Sequence, residues 1–254
     1  LADHPEYLHG TVDIYPAMNP LGINTVRRGV PLFDLDMNRI FPGSADGPAA
    51  EYFAACAIKD MAGADLAIDI HASNIFLREL PQVRVSEETA ATLVPLAKKL
   101  NVDFVWVHAA ATVLQSTLAH SLNALGTRCL VVEMGVGMRL THAYGEQLTE
   151  GILCLMQSEG LWSGPVITPR TPIISKDEVD FINADAAGIF VPQVRHNGRV
   201  TAGQPLGVIA DPLTGRDVQL VTAPSDGLLF TLREYPVVYP GSLLARILKE
   251  GEKA

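Results

Sequence analysis

The chain has 254 residues, 48% of them hydrophobic and 19% charged. That balance supports a packed core and excludes a disordered chain. A formal net charge of −9, with no cluster of Lys and Arg, argues against nucleic acid as a partner, because neutralising phosphates needs such clusters. Apolar runs such as Cys129–Val132 are strand-sized, far short of a bilayer span, so no membrane partner is expected.

From Thr11 to about Gly160, short apolar runs alternate with longer amphipathic ones. The periodicity predicts a strand over 11–16, a helix over 48–62, a strand over 65–71, a helix over 86–100, a strand over 103–108, a helix over 115–125, a strand over 128–133 and a helix over 141–159. Alternation of this kind specifies an α/β fold, a mixed, mainly parallel sheet with flanking helices. Ser86 reads as a helix cap, Glu87 and Glu88 suit a helix N-terminus, and Gly126 closes a helix. Past Gly164, Pro165, Pro169 and Pro172 make a stiff connection. Short β runs then alternate with turn signals such as His196-Asn197-Gly198 and Pro240-Gly241. Residues 1–164 are therefore expected to form an α/β domain and 165–254 a small all-β domain. The turns around Gly198–Gly207 and Ala223–Gly227 resemble those of the biotinyl/lipoyl carrier fold, a barrel-sandwich module. No Lys occupies the tight turn, so the resemblance is architectural and a carrier role is disfavoured.

Cys56, Cys129 and Cys154 lie in apolar patterns without C-x-x-C spacing. They read as buried, reduced thiols of a cytoplasmic protein. The sequence leaves a homo-oligomer open.

Chemistry concentrates at predicted strand ends, which in open α/β sheets line the ligand crevice. His71 ends one strand, with Asp69 two residues earlier on the same face. Read alone, His71 serves equally as a hydrogen-bonded strand-end residue. Glu133 follows four apolar residues and is placed where burial favours a proton-shuttling carboxylate; a salt-bridged Glu is the plain alternative. Arg28, Asn38 and Arg39 could hold a small anionic substrate through its carboxylate, a guanidinium fork suiting that geometry. Otherwise Arg39 pairs with Asp34 or Asp36 to staple a loop. Phe41-Pro42-Gly43 reads as a rigid exit from that segment, His108 as a pocket-lining candidate, and Arg78 as a residue of a loop over 74–81.

Asn19-Pro20, Arg28-Gly-Val-Pro31, Asp36-x-Asn38-Arg39-x-Phe41-Pro42-Gly43, Asp69-x-His71 and Glu133-x-Gly135 have the order and spacing of the succinylglutamate desuccinylase/aspartoacylase family, a branch of the zinc carboxypeptidase superfamily. The chain resembles that family over nearly its whole length. The resemblance implies a zinc-dependent amidohydrolase, with one Zn2+ per active site, that cleaves the amide of an N-acyl amino acid or related small carboxylate. Carried over residue by residue, it makes His71 a zinc ligand and Glu133 the general base and acid. Arg28 polarises the scissile carbonyl or grips the acyl group, Asn38 and Arg39 bind the substrate carboxylate, and Tyr239 reaches the pocket from the β region. The family's first two zinc ligands come from an H-G-x-E motif, absent from this sequence, so the remaining ligands are expected upstream of Leu1. A metallocarboxypeptidase acting on short peptides, or a non-catalytic carboxylate-binding relative, would share these residues.

Overall fold

The computed structural model describes residues 1–108, 115–176 and 178–249. Its elements are α1 (Pro20–Thr25), α2 (Ala49–Met61), β1 (Leu66–His71), β2 (Leu77–Ser86), α3 (Ala90–Ala97), β3 (Phe104–His108), α4 (Leu118–Ala124), β4 (Arg128–Gly135), α5 (His142–Ser158), β5 (Ile173–Lys176), β6 (Val179–Asn183), β7 (Gly188–Pro192), β8 (Arg199–Val200), β9 (Pro205–Ala210), β10 (Asp217–Thr222), β11 (Gly227–Arg233), β12 (Val237–Val238) and β13 (Leu243–Lys249). Among the described residues no helix is long and apolar enough to cross a membrane.

One long mixed sheet runs β1-β4-β2-β11-β13-β6, with β3 joined to β2, β5 to β3 and β8 to β11. The ten residues of β2 make this possible. Leu77–Glu79 pair with β11, whereas Gln82–Ser86 pair with β3, so one strand serves two neighbours along one edge. The pairs β1/β4, β2/β3 and β3/β5 are parallel. Those linking β2 to β4 and β11, and β11 to β13, β13 to β6, are antiparallel. The expectation of a mainly parallel sheet therefore holds only for the strands up to β5. A second sheet, β10-β9-β7-β12, has four strands.

Strand alternation divides the long sheet into two faces. Val83, Val85, Val105, Val107, Leu130 and Val132 point one way and pack with Leu93 and Leu96 of α3 and Leu148 and Leu155 of α5, as a period of two requires. Cys129 and Val131 face the other way, toward Ala50, Ala54 and Ile58 of α2 and Leu118 and Leu122 of α4. A further core joins the two sheets, with Phe190, Leu206 and Ile209 against Leu229, Leu244 and Ile247.

Several local expectations change. Residues 11–16 form no strand: Ile14 is 72% exposed, and a β-favouring run without a ladder partner cannot satisfy its backbone in a sheet. The helix expected over 86–100 is a 3₁₀ turn at Glu87–Thr89 followed by the short α3. Ser86 makes no side-chain cap bond there; its hydroxyl meets that of Thr89 at 3.0 Å. Cys56 is exposed, whereas Cys129 and Cys154 are buried. The supposed loop carrying Arg78 contains the start of β2. Its guanidinium is held by both carboxylate oxygens of Glu234 at 3.1 Å each.

Candidate active site

Sheet register builds the site. β1 and β4 are parallel with His71 opposite Glu133, so both side chains emerge at the carboxyl ends of neighbouring strands. Glu133 is in turn opposite Gln82 of β2. All three lie in one row across the face that α2 and α4 cover farther down the strands.

The imidazole Nε2 of His71 stands 2.9 Å from Asp69 Oδ2. Burial works against the charged ring, but the hydrogen bond and charge of Asp69, aided by Glu133 and opposed by Arg28, leave the His71 pKa above its ordinary value. Glu133 is nearly buried. Its Oε2 accepts the Ser73 backbone N–H at 2.7 Å, and its Oε1 lies 3.4 Å from Arg84 Nη1. The turn after β4 begins at Gly135, whose φ of +70° places it in the left-handed region, where glycine carries no steric cost.

Arg28 is exposed, its Nε donating to Asp36 Oδ2 at 2.9 Å. The other Asp36 oxygen accepts the Asn38 N–H at 3.0 Å. The staple considered for Arg39 is thus made by Arg28 instead. Arg39 donates to the Asn38 carbonyl at 2.6 Å. Asn38 Oδ1 accepts the Leu118 N–H at 2.9 Å, which ties the loop to the start of α4. Asn19 fixes the same region from behind, its amide donating to the Arg28 carbonyl at 3.2 Å. Tyr239 is 66% exposed and follows β12, at the edge of the four-stranded sheet. Its described hydrogen bond runs from its backbone N–H to Ser242 Oγ at 3.0 Å. The structure thus sets His71 opposite Glu133, pairs Arg28 with Asp36 on the loop that also carries Asn38 and Arg39, and joins Tyr239 to the group through no described contact. His108 is buried, its ring edge-on to Trp106 with centroids 5.8 Å apart.

The Asp69 carboxylate, 2.9 Å from His71 Nε2, is the kind of neighbour that orients a metal-binding imidazole. A catalytic zinc takes three protein ligands. Among the described residues no group of three His, Cys, Asp or Glu side chains is placed to hold a metal ion. They fit one ligand position, not the set.

Sequence reading missed Ser73 and Arg84, which contact Glu133, Gln82, which is opposite it in the sheet, and Glu79 with its partners Thr231 and Arg246. The available signal was the spacing of Glu79, Gln82 and Arg84 about Pro81, which suits a strand carrying a bulge at its proline.

A sequence profile of the succinylglutamate desuccinylase/aspartoacylase catalytic domain matches residues 2–158. No curated protein gives a significant match. Among solved structures, the product-bound ectoine utilization protein EutE (DoeB) from Ruegeria pomeroyi superposes with a TM-score of 0.83 at 20% identity, over 96% of this chain and 77% of that one. A succinylglutamate desuccinylase/aspartoacylase from Rhodobacter sphaeroides gives 0.83 at 20% identity, over 99% and 80%. An aspartoacylase family protein from Mesorhizobium loti gives 0.78 at 19% identity, over 98% and 78%. At these identities the likeness speaks to the fold.

Proposed function

Because the chain belongs to the succinylglutamate desuccinylase/aspartoacylase family, we propose that it is a zinc-dependent deacylase that hydrolyses the amide of an N-acyl amino acid or a related small carboxylate. The observation that supports this reading is the register pairing of His71 with Glu133 at the carboxyl ends of β1 and β4.

In this reading His71 is one zinc ligand, oriented by Asp69; the others would come from outside the described residues. Zinc, when bound, supplies Lewis acidity to a water and to the amide carbonyl. Glu133, held through both oxygens by Ser73 and Arg84, takes the proton from the attacking water and returns it to the leaving amine. Arg28, steadied by Asp36, grips the acyl side and offsets charge that develops on the carbonyl oxygen. The amide N–H groups of Asn38 and the Arg39 guanidinium bind the substrate carboxylate, and Tyr239 closes the pocket from the far side.

The test uses the full-length protein supplied with zinc, assayed on N-acetyl and N-succinyl amino acids beside dipeptides. Hydrolysis of the acyl amino acids is expected, and Glu133→Gln should lower kcat by about 10²–10⁴-fold with folding retained. Preference for dipeptides would move the assignment to a carboxypeptidase. Carboxylate binding without zinc uptake or turnover would sink the enzyme reading altogether. That outcome would leave the non-catalytic relative.

A further inference from the structure

β2 carries a buried carboxylate that the proposed chemistry does not use. Glu79 is fully buried and accepts from five donors. Its Oε1 takes Arg246 Nη1 at 2.9 Å, Ser73 Oγ at 3.2 Å and Arg84 Nη2 at 3.4 Å. Its Oε2 takes Gln82 Nε2 at 3.0 Å and the hydroxyl of Thr231.

The reason it sits there is a register shift. Between Glu79 and Gln82 the strand advances three residues while its partner β4 advances two, from Gly135 to Glu133. One extra residue reverses side-chain parity, so Glu79 shares a face with Gln82 and Arg84 rather than with Val83. Pro81 lies inside the shift, where a missing N–H breaks no ladder bond. On the other edge, Glu79 is opposite Thr231 of β11, which is opposite Arg246 of β13. The row of charge therefore crosses from the Glu133 side of the sheet to strands near the end of the chain.

Both oxygens of Glu133 are gripped by residues that also grip Glu79. Ser73 gives its N–H to Glu133 and its hydroxyl to Glu79. Arg84 spans the two carboxylates with Nη1 and Nη2, its guanidinium held over the Trp106 ring at 5.6 Å. Arg246 packs on the same ring at 5.8 Å. Two guanidiniums and two carboxylates balance, which a nearly buried cluster requires.

Resting on the reading of Glu133 as the proton shuttle, we infer that Arg84 is a positioning residue: anchored on the buried Glu79, it fixes the Glu133 carboxylate and makes the reaction depend on Thr231 and Arg246 of the C-terminal strands. A planar two-pronged donor is needed to bridge two carboxylates, and a lysine ammonium is a single point charge.

Arg84→Lys and Arg84→Met are compared in the full-length, zinc-supplied enzyme. Arg128→Met, which loses a pair to Glu159 at the opposite end of β4, is the control. The Lys variant should lose about tenfold in kcat with KM within about twofold, and the Met variant more, since misplacing a reacting group by about 1 Å can cost about 10²-fold. The control should lower Tm and leave kcat unchanged. If Arg84→Met fails to fold, the Lys variant decides. Crystal structures of wild type and Arg84→Lys supply a readout that needs no substrate: the Glu133 carboxylate should leave its wild-type position while the backbone stays. An unmoved Glu133, an unchanged kcat, or a change in KM alone overturns the inference. Should wild type hydrolyse nothing, the proposed function fails, and the position of Glu133 still decides this point.

Discussion

In the proposed function the Asn38 side-chain amide is divided between two tasks. The oxygen accepts the N–H of Leu118, the first residue of α4, and so does the work of an N-cap from a distance; the NH2 group is the part assigned to the substrate carboxylate. Asn38→Asp separates the two. A carboxylate keeps the acceptor and suits the positive end of a helix, so Tm should fall by no more than a few degrees. The donors are lost and a negative charge meets the substrate carboxylate, so KM should rise about tenfold or more, in line with the worth of a hydrogen bond to a charged group. Asn38→Ala should lose both, with about 1 kcal/mol of stability going with the cap. Equal KM values for wild type and Asn38→Asp in steady-state kinetics would remove Asn38 from the binding site.

At the scale of elements, sequence patterns carried what local periodicity encodes. α2 begins at Ala49 and ends at Met61, and β1, β3 and β4 begin within a residue of expectation. β2 was hidden. Its polar positions Arg78, Glu79, Gln82 and Arg84, with Pro81 among them, look like a loop when apolar alternation is the signal. Glu79, Gln82 and Arg84 pack against one another, an arrangement that depends on Thr231 and Arg246, 152 and 167 residues from Glu79, and so has no local signature. His71 and Glu133 were legible because each ends an apolar run; their partners were not. The entry to α2 shows a different local constraint. Gly43 has φ +77°, and a Cβ there would lie 2.2 Å from the Glu51 carbonyl oxygen and 2.6 Å from the Ala55 nitrogen, both backbone atoms of the helix. Gly43→Ala should therefore cost about 2 kcal/mol or more, combining a disfavoured φ with a backbone clash. Urea unfolding measures it, and a loss below about 0.5 kcal/mol would mean the helix shifts freely.

At the scale of the molecule, the change in composition after Gly164 suggested a small all-β domain following the first, and strands beyond that point join the sheet that carries Glu133. β5 extends β3 and β11 pairs with β2. Around that seam Glu234 binds Arg78 and also Arg139 at 3.1 Å, the Glu234 and Tyr235 N–H groups donate to the Phe76 carbonyl, and Tyr235 packs edge-on to Phe76 with centroids 5.7 Å apart. The segment they hold leads from Ser73, whose N–H reaches Glu133. Removing the later strands would expose the β2 edge and leave Glu79 without Thr231 and Arg246, and breaking one side of such a buried charge cluster costs about 3–5 kcal/mol. Neither part can then melt without removing a large share of the other's stability, which for a domain totals about 5–15 kcal/mol. Differential scanning calorimetry should accordingly show one transition, with calorimetric and van't Hoff enthalpies equal. Two resolved transitions, with the second surviving in a fragment spanning 165–254, would mean that the seam contributes little and that the C-terminal strands fold without the sheet they join.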